Sequence, residues 1–433
     1  MRCSGLTTSV AAAGGAPAWT RRDGESWKAL QLEFTWVPPG RHRTALCCCF
    51  VTQTTIAQSN RRARGRRARG QLGRRSAFGV AALAVAFTAA ACGSSSSTSS
   101  SSTTAGSTGN QKVNCASGTL TGAGSTFVNT ILTQWIKDYQ SKCPGSTVNY
   151  QSVGSGAGVQ QFTAGTVNFG ASDVPFAASE QAAANAKYPG GAQQIIWAAG
   201  PIAIEYKVAG VSNLKLSPST LASIFAGKIK TWNDPAIAAD NPGTNLPSEG
   251  IQVVHRSDGS GTTAAFTGYL TTVAGTVWTV GSAKDVPWPT GQGAKGSDGV
   301  TAVVTQTEGA IGYAELSYAK GGQVSTASIK NASGQFVQPS PSGATAALAS
   351  TTVNPDGTAK INYQAPGNTS YPISTFTYVL VPTKSPTPAV GTLLKDFIQY
   401  AVGPGQSSAN QLFYAPLPAN VASQSQTAAA GLS

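Results

Sequence analysis

The sequence predicts an α/β protein in which one domain is inserted into another. Strand patterns are followed by helix patterns through most of residues 118–398. Two long β-rich runs, at residues 195–208 and 375–381, lie far apart in the chain. Two such runs are expected where a chain passes twice between domains, so the residues between them are predicted to form the inserted domain.

The elements before residue 208 come in the order strand, turn and helix. Apolar residues at helical spacing over 128–139 predict a helix with Phe127 at its start. Alternation around residues 148–150 predicts a strand, and a second helix follows at 159–162. A short apolar strand then ends in the acidic loop that contains Asp173.

The middle of the chain continues this alternation. Ser217 and Pro218 are a favourable N-cap and first-turn pair for a helix that extends to Phe225. A strand is predicted at 251–254, and a helix over 262–270 follows it.

The last part of the chain is less uniform. Asp298 is expected to cap a helix that precedes a strand at 309–313. Residues 331–371 are rich in Gly, Pro, Ser and Asn and are predicted to be irregular. An amphipathic helix is predicted over 390–398.

The formal charge of +13 comes almost wholly from the first part of the chain. Residues 1–91 hold 14 Lys and Arg against 3 Asp and Glu, a net charge of +11, and residues 92–433 hold 16 against 14, a net charge of +2. The basic character therefore lies outside the main body, and we expect no nucleic-acid partner.

Residues 61–91 are typical of a secretory signal. A basic run over 61–75 precedes an apolar run over 77–91, which is too short to span a bilayer. Small residues then precede Cys92, which resembles a bacterial lipoprotein signal in which the cysteine is acylated. Ala89 stands where such signals usually carry Leu.

Residues 1–60 show no coherent hydrophobic period and are interpreted as an over-extended gene start. Met1 is the only methionine, so a later start would use another codon, for example at Val51 or Leu72. Peptides from residues 1–50 in the native protein would contradict this interpretation.

Residues 92–114 are dominated by Ser, Thr, Gly and Ala, which favour a flexible tether. Cys115 and Cys143 follow, either as a disulfide or as two unpaired buried thiols. The secretory signal indicates an oxidising compartment, which favours the disulfide.

Three turns rich in Gly, Ser and Thr each precede a predicted helix. They lie at residues 122–127, 154–158 and 258–262. Helix N-termini present unpaired N–H groups, and glycine lets an anion approach the backbone closely. Each turn alone could be an ordinary N-cap, but together they predict an oxyanion site.

Arg256 begins the third turn and is the only arginine after residue 75. Its planar group of donors suits a tetrahedral oxyanion. Arg256 could also form an ion pair with Asp258, and this pair could hold the guanidinium while it donates to a ligand.

Asp173 points to the identity of the anion. A carboxylate beside a bound anion costs free energy unless it accepts a proton from that anion. Phosphate keeps a proton near neutral pH and sulfate does not, so Asp173 would admit phosphate and repel sulfate.

Five segments together resemble the phosphate-binding proteins of Pst ABC transporters, the PstS family, in their lipoprotein form. The similarity runs from about residue 118 to 422 and is carried by the motifs LTGAGSTF, VGSGAGVQQF, VNFGASDVPF, VVHRSDGSGTTAAF and GAIGYAEL. It implies a two-domain type II periplasmic binding protein with two crossings between lobes. Lobe I would comprise residues 115–202 and 373–425, and lobe II residues 203–372.

The resemblance also implies a set of phosphate contacts, with Asp258 supporting Arg256. Phe127 and Gly261 would contribute backbone N–H groups. Ser125 stands where the family often has Ala, and residues 331–371 match the family poorly. The implied contacts are Thr126, Phe127, Ser155, Asp173, Arg256, Ser260, Gly261 and Thr262.

Two other classes of function are less compatible with the sequence. Binding of sulfate or molybdate is disfavoured by Asp173, for the reason given above. A phosphate-ester hydrolase would need His255, Asp258 and Ser260 as a triad, but three residues within six positions are poorly placed for that relay. A single histidine after residue 92 and no clustered acidic residues give little support to a metal site.

The sequence therefore predicts a protein that binds inorganic phosphate outside the cytoplasm, and the resemblance implies that it delivers the ion to an ABC permease. We expect a monomer that is anchored to the outer face of the membrane through acylated Cys92. No enzymatic activity and no cofactor are expected.

Overall fold

The structure is a computed structural model that describes residues 18–22, 26–30, 113–322 and 324–433. The chain divides into two compact units, residues 1–100 and 101–433. In the first unit, β1 (Ala18–Arg22) and β2 (Ser26–Leu30) form an antiparallel pair, where the sequence predicted no element. The signal at 61–91, Cys92 and the tether up to residue 112 lie outside the described residues.

The second unit begins with the predicted alternation of strands and helices. The additional helix α3 was not predicted from the sequence. The elements are β3 (Gly118–Gly124), α1 (Asn129–Lys142), β4 (Ser146–Ser152), α2 (Ser155–Ala164), β5 (Phe169–Ser172), α3 (Ala178–Lys187) and β6 (Ala192–Lys207).

The inserted segment contains further short elements. In order they are β7 (Lys215–Leu216), α4 (Pro218–Phe225), α5 (Pro235–Asp240), β8 (Gln252–Arg256), α6 (Gly261–Ala274), β9 (Gln292–Ala294), α7 (Gly296–Gln306), β10 (Ala310–Glu315), α8 (Leu316–Gly322), β11 (Ser325–Thr326), β12 (Ser328–Lys330), β13 (Phe336–Val337), α9 (Pro341–Leu348), β14 (Thr352–Val353) and β15 (Ala359–Lys360). The chain then returns through β16 (Ser374–Pro382), α10 (Pro388–Val402), two 3-10 helices (Pro404–Ser408 and Asn410–Leu412) and α11 (Ala419–Ala430).

One long strand, β6, joins the two lobes. The strands of the main sheet follow the order β4-β3-β5-β16-β6-β10-β8-β9. Residues 192–201 of β6 pair with β16, whereas residues 202–207 pair with β10. The two halves of β6 therefore pair with different strands, as expected if β6 passes between the two lobes.

The return crossing lies beside the first one. The N–H of Ile202 donates to the carbonyl of Ile373 over 2.8 Å, and the hydroxyl of Tyr371 donates to the carbonyl of Ile202 over 2.9 Å. Because both crossings lie side by side, they can act together as a hinge.

Apolar side chains explain why the long strands cross the interior. Residues 194–206 of β6 and all nine residues of β16 are buried, as expected for central strands covered on both faces. Trp135 and Trp197 pack within the same core with ring centroids 5.7 Å apart. This core fixes the ends of the strands that carry the polar loops.

Some predictions of local structure were confirmed and others were wrong. Asp298 lies in the first turn of α7, and Lys295 occupies the N-cap. The prediction for α4 is confirmed, since Ser217 is its N-cap and the helix runs from Pro218 to Phe225. The Ser217 hydroxyl makes no capping bond and lies 2.8 Å from the hydroxyl of Thr220. Residues 331–371, predicted to be irregular, contain α9 and short strands. Helices α5, α8 and α11 were also not predicted.

The predicted disulfide is confirmed. Cys115 and Cys143 are bonded, with their Cα atoms 5.2 Å apart. The bond ties the segment before β3 to the end of α1. Among the described residues, no helix is both long and apolar enough to cross a membrane.

Candidate functional site

Three helix N-termini lie at the cleft between the lobes, where the sequence placed its three turns. Helices α1 and α2 have no capping side chain, and α6 is capped by Ser260, whose Oγ accepts from the N–H of Thr263 over 3.1 Å. Gly154, before α2, has a φ of 92°, a conformation that favours glycine.

The backbone at these helix starts has free donors. Five residues at these helix starts are buried, and the backbone N–H of each lacks an acceptor among the described residues. Unpaired buried N–H groups are costly unless a ligand or water accepts from them. The five residues are Thr126, Phe127, Ser155, Gly261 and Thr262.

Arg256 stands at the end of β8 and is held by Asp258. Its Nε and Nη2 donate to the two oxygens of Asp258 over 2.8 and 2.5 Å. Burial would raise the pKa of Asp258, but hydrogen bonds and the charge of Arg256 hold it below its usual range. Asp258 also accepts from the N–H of Gly296 over 3.0 Å, which joins the third turn to the start of α7.

The third nitrogen of the Arg256 guanidinium, Nη1, donates to a hydroxyl group. Nη1 lies 3.4 Å from the hydroxyl of Ser297, which in turn lies 2.9 Å from that of Thr126 on the opposite lobe. Arg256 and Thr126 are each only 3% exposed, so this group of donors is shielded from solvent.

Asp173 follows β5 and is surrounded by hydroxyl groups. Its Oδ1 accepts from Ser125 and, over 3.0 Å, from Thr377, whereas Oδ2 accepts from Thr262 over 3.0 Å. Burial raises the pKa of this carboxyl, although these hydrogen bonds and the more distant Arg256 oppose the rise.

Glycine at position 261 allows the lobes to approach closely. A Cβ there would lie 2.6 Å from the Asp173 nitrogen and 2.6 Å from Ser155 Oγ. Both of those residues belong to lobe I. The close approach explains why this turn needs glycine and why Thr262 reaches Asp173.

The structure brings the predicted residues close together. Thr126, Phe127, Ser155 and Asp173 precede β6, whereas Arg256, Ser260, Gly261 and Thr262 lie in the inserted segment. Hydrogen bonds through Ser297 link the Arg256 side to Thr126, and the Asp173 carboxylate links Ser125 to Thr262.

Sequence reasoning missed Ser297 and Thr377. Ser297 lies in the first turn of α7, and its N–H donates to Thr126 Oγ1 over 3.2 Å. The signal for it was present, since the Lys-Gly-Ser-Asp run at 295–298 is another polar turn before a helix. Thr377 lies inside the apolar strand β16, where nothing in the local pattern sets it apart.

The residues weighed as a catalytic triad are engaged elsewhere. The ring of His255 stacks on Trp288 with centroids 4.9 Å apart, and its Nδ1 lies 3.0 Å from the carbonyl of Arg256. Asp258 is bonded to Arg256, and the Ser260 hydroxyl accepts from its own helix. Among the described residues, no group of three or more His, Cys, Asp or Glu is placed to hold a metal ion.

Comparison with known families and proteins gives consistent matches. The profile of the PBP superfamily domain matches residues 97–404. Phosphate-binding protein PstS of Pasteurella multocida is 44% identical over 307 residues, which are 70% of this chain and 87% of that protein. Phosphate-binding protein PstS 3 of Mycobacterium leprae is 39% identical over 327 residues, 73% of this chain and 88% of that protein.

Solved structures resemble the fold. A high affinity periplasmic phosphate-binding protein bound with phosphate gives a TM-score of 0.60 at 23% identity, covering 72% of this chain and 93% of that protein. A phosphate-binding protein from Stenotrophomonas maltophilia gives 0.55 at 19% identity, with coverage of 72% and 93%. The predicted α/β fold with two domains is confirmed.

Proposed function

Because the chain belongs to the PstS family of phosphate-binding proteins, we propose that it binds inorganic phosphate in the cleft between its lobes. The phosphate contacts would be Thr126, Phe127, Ser155, Asp173, Arg256, Ser260, Gly261 and Thr262. The observation that supports this proposal is that N–H groups without an acceptor among the described residues lie buried close to several hydroxyls and one guanidinium. A tetrahedral oxyanion with several oxygens can accept from such a set of donors.

Asp173 would select phosphate over a fully ionised oxyanion. Two carboxylate oxygens offer about four lone-pair positions, and three hydroxyl donors already use three of them. The remaining position can accept a proton from phosphate. Sulfate has no proton to offer at neutral pH, so its oxygen would face a buried negative charge.

The protein would release phosphate to an ABC permease after opening of the cleft. Phosphate contacts both lobes only in the closed state, so the ion favours closure by its differential affinity for that state. The extracytoplasmic location is that of the family. Beyond it, we propose that Cys92 is acylated and that residues 92–114 tether a monomer to the outer face of the membrane.

The proposed boundaries follow from the two crossings. Lobe I would consist of residues 115–202 and 373–425, and lobe II of residues 203–372. Residues 1–60 would be absent from the native protein, and residues 61–91 would be removed as a signal. Intact mass of the protein extracted from its native membrane tests both points, since an unmodified mass or peptides from residues 1–50 would contradict them.

Calorimetric titration with phosphate, arsenate and sulfate tests the ligand assignment. We expect phosphate and arsenate to bind and sulfate to bind far more weakly. Tighter binding of sulfate would refute the role of Asp173. Turnover of a phosphate ester that is lost in Ser260→Ala would instead favour the hydrolase alternative.

A further inference from the structure

Three tyrosine hydroxyls bind three successive carbonyls of the segment Ser125–Thr126–Phe127. Tyr150 donates to the Ser125 carbonyl over 2.8 Å, and Tyr318 donates to the Thr126 carbonyl over 2.8 Å. Tyr414 donates to the Phe127 carbonyl. The backbone before α1 is therefore fixed by hydrogen bonds to its carbonyls, on the side opposite its free N–H groups.

The geometry of the peptide bond links these carbonyls to the proposed phosphate donors. In a planar trans peptide, the carbonyl of one residue and the N–H of the next point in opposite directions. The Thr126 carbonyl therefore belongs to the same rigid unit as the Phe127 N–H. A hydrogen bond to that carbonyl orients the Phe127 N–H and also polarises it.

Tyr318 and Tyr150 belong to different lobes. Tyr150 lies on β4, in the same lobe as the segment it supports, whereas Tyr318 lies on α8 of lobe II. The neighbouring Ser317 likewise reaches across to Thr130 of α1, with the hydroxyl oxygens 3.0 Å apart. The support from Tyr318 thus depends on how lobe II lies against the start of α1.

The two carbonyls also differ in their other anchors. Ser125 is also anchored through the preceding peptide, because its own N–H donates to the Ala171 carbonyl over 2.9 Å. The Thr126 carbonyl otherwise accepts only a longer bond of 3.3 Å, from the Asn129 N–H, among the described residues. Loss of Tyr318 therefore leaves the Thr126 backbone with only the 3.3 Å bond from Asn129, whereas loss of Tyr150 leaves the Ser125 backbone with the 2.9 Å bond of its own N–H.

We propose that Tyr318 is a positioning residue for phosphate. On closure, its hydroxyl binds the Thr126 carbonyl and holds the Phe127 N–H towards the ion. Closure then strengthens a donor on the other lobe without any contact between Tyr318 and phosphate. This inference rests on the proposed phosphate site, because it acts through the Phe127 N–H.

The test compares Tyr318→Phe with Tyr150→Phe, which removes the same kind of hydroxyl from the adjacent carbonyl within one lobe. The full chain, purified in detergent, is loaded with radiolabelled phosphate and chased with unlabelled phosphate to give koff. Equilibrium dialysis gives Kd, and kon follows from the two. Thermal melts without phosphate record the stability of each variant.

We expect Tyr318→Phe to raise koff about three- to tenfold, the loss that one hydrogen bond commonly causes. Its kon should stay within twofold of the parent, because the contact forms only on closure. Tyr150→Phe should change koff less than twofold, even where its melting temperature falls.

Three results would overturn the inference. These are an unchanged koff in Tyr318→Phe, an equal rise in Tyr150→Phe, or a fall in kon that accounts for the whole change in Kd. A melting temperature lowered only in Tyr318→Phe, with koff unchanged, would make the tyrosine purely structural. Failure of the parent protein to retain phosphate would refute the proposed site itself.

Discussion

The two aspartates of the cleft, Asp173 in lobe I and Asp258 in lobe II, differ in what neutralises them. Asp258 receives two hydrogen bonds from a guanidinium, and its pKa is lowered. Asp173 receives only hydroxyl donors at its oxygens, and its pKa is raised by burial. The same side chain therefore holds a cation in one lobe and remains an acceptor for protons in the other.

This difference separates attraction of the anion from choice of the anion. With all groups ionised, Arg256, Asp173 and Asp258 together carry a net charge of −1. Attraction of a further anion must then come mainly from N–H groups and hydroxyls, which carry no formal charge. A ligand that brings its own proton to Asp173 removes the largest remaining repulsion.

Arg256→Gln should have the largest effect on binding. The substitution removes the only guanidinium of the cleft and leaves the Asp258 carboxylate buried without its cation. We expect phosphate affinity to fall by about 3 kcal/mol, on the order of a hundredfold. Calorimetric titration measures the loss. Arg256→Lys should lie between the two proteins, because it keeps the charge but not the planar pair of donors.

A small loss in Arg256→Gln would contradict the role of the arginine. If affinity stayed within tenfold of the parent, N–H groups and hydroxyls alone would supply the attraction. The proposed role of Asp258, which is to hold Arg256, would then also be contradicted, since Arg256 would contribute little to phosphate binding.

Asp173→Asn should change selectivity more than affinity. Asparagine removes the negative charge and offers an N–H donor, so a sulfate oxygen no longer faces a carboxylate. We expect the ratio of phosphate to sulfate affinity to fall about thirtyfold, which corresponds to about 2 kcal/mol. Competition titrations with both ions measure this ratio.

Asp258→Asn is the matched control, because it changes the other aspartate of the same cleft. Its affinity for both ions can change through Arg256, but the ratio between them should stay close to that of the parent. Equal loss of selectivity in the two variants would erase the distinction between the aspartates.

The sequence predicted those parts of the site that lie on continuous motifs. The turns before α1, α2 and α6 combine glycine with hydroxyl residues at the end of a strand, so their role as helix starts could be predicted. Arg256 stood out because arginine is otherwise absent after residue 75. The strands β6 and β16 were predicted because their apolar runs are long.

What could not be predicted depends on contacts between distant segments. Thr377 bonds to Asp173 across more than two hundred positions, and Tyr318 reaches Thr126 across 192. The sequence around a threonine in an apolar strand, or around a tyrosine in a short helix, contains no pattern that indicates such a role. Helix α3 was missed because its alanine-rich, polar sequence buries only Ala184 and so has little hydrophobic period.

Glu205 extends the comparison to a buried carboxyl without any cation. It lies on β6 and accepts from Thr301 over 2.9 Å, whereas its Oε2 has no hydrogen-bond partner among the described residues. Burial raises its pKa from 4.5 to about 8. The buried carboxyl of Glu315 lies nearby and has a raised pKa for the same main reason.

Glu205 should make stability fall as pH rises. Between pH 4.5 and about 8 the folded protein binds a proton at Glu205 that the unfolded chain has released, so each increase in pH favours unfolding. The stabilisation is complete below pH 4.5. We expect a contribution of about 1 kcal/mol between pH 6 and pH 7. In urea unfolding, the free energy of unfolding of Glu205→Gln should change less with pH than that of the parent protein. If the two pH curves ran parallel, the pH dependence would have to come from other groups.

The ion pair between Glu180 and Lys284 should have the smallest effect. It joins α3 of lobe I to lobe II with Nζ 2.6 and 2.7 Å from the two carboxylate oxygens, and both side chains are partly exposed. Exposed pairs contribute about 0.2–1 kcal/mol and are screened by salt. Glu180→Gln should therefore raise the Kd for phosphate less than about fivefold at low salt, and the difference should disappear near 1 M salt.

Unlike the Arg256–Asp258 pair, this pair can lose its charge interaction while other contacts of the same two residues remain. The carbonyl of Lys284 accepts from the N–H of Ser260 over 2.8 Å, so the lysine also supports the third turn through its backbone. Substitution of Glu180 leaves that backbone contact intact and tests the charge alone. A loss of affinity that persists at high salt would mean that Glu180 acts through the start of α3, where it accepts from the Ala177 N–H over 2.8 Å, and not through attraction between the lobes.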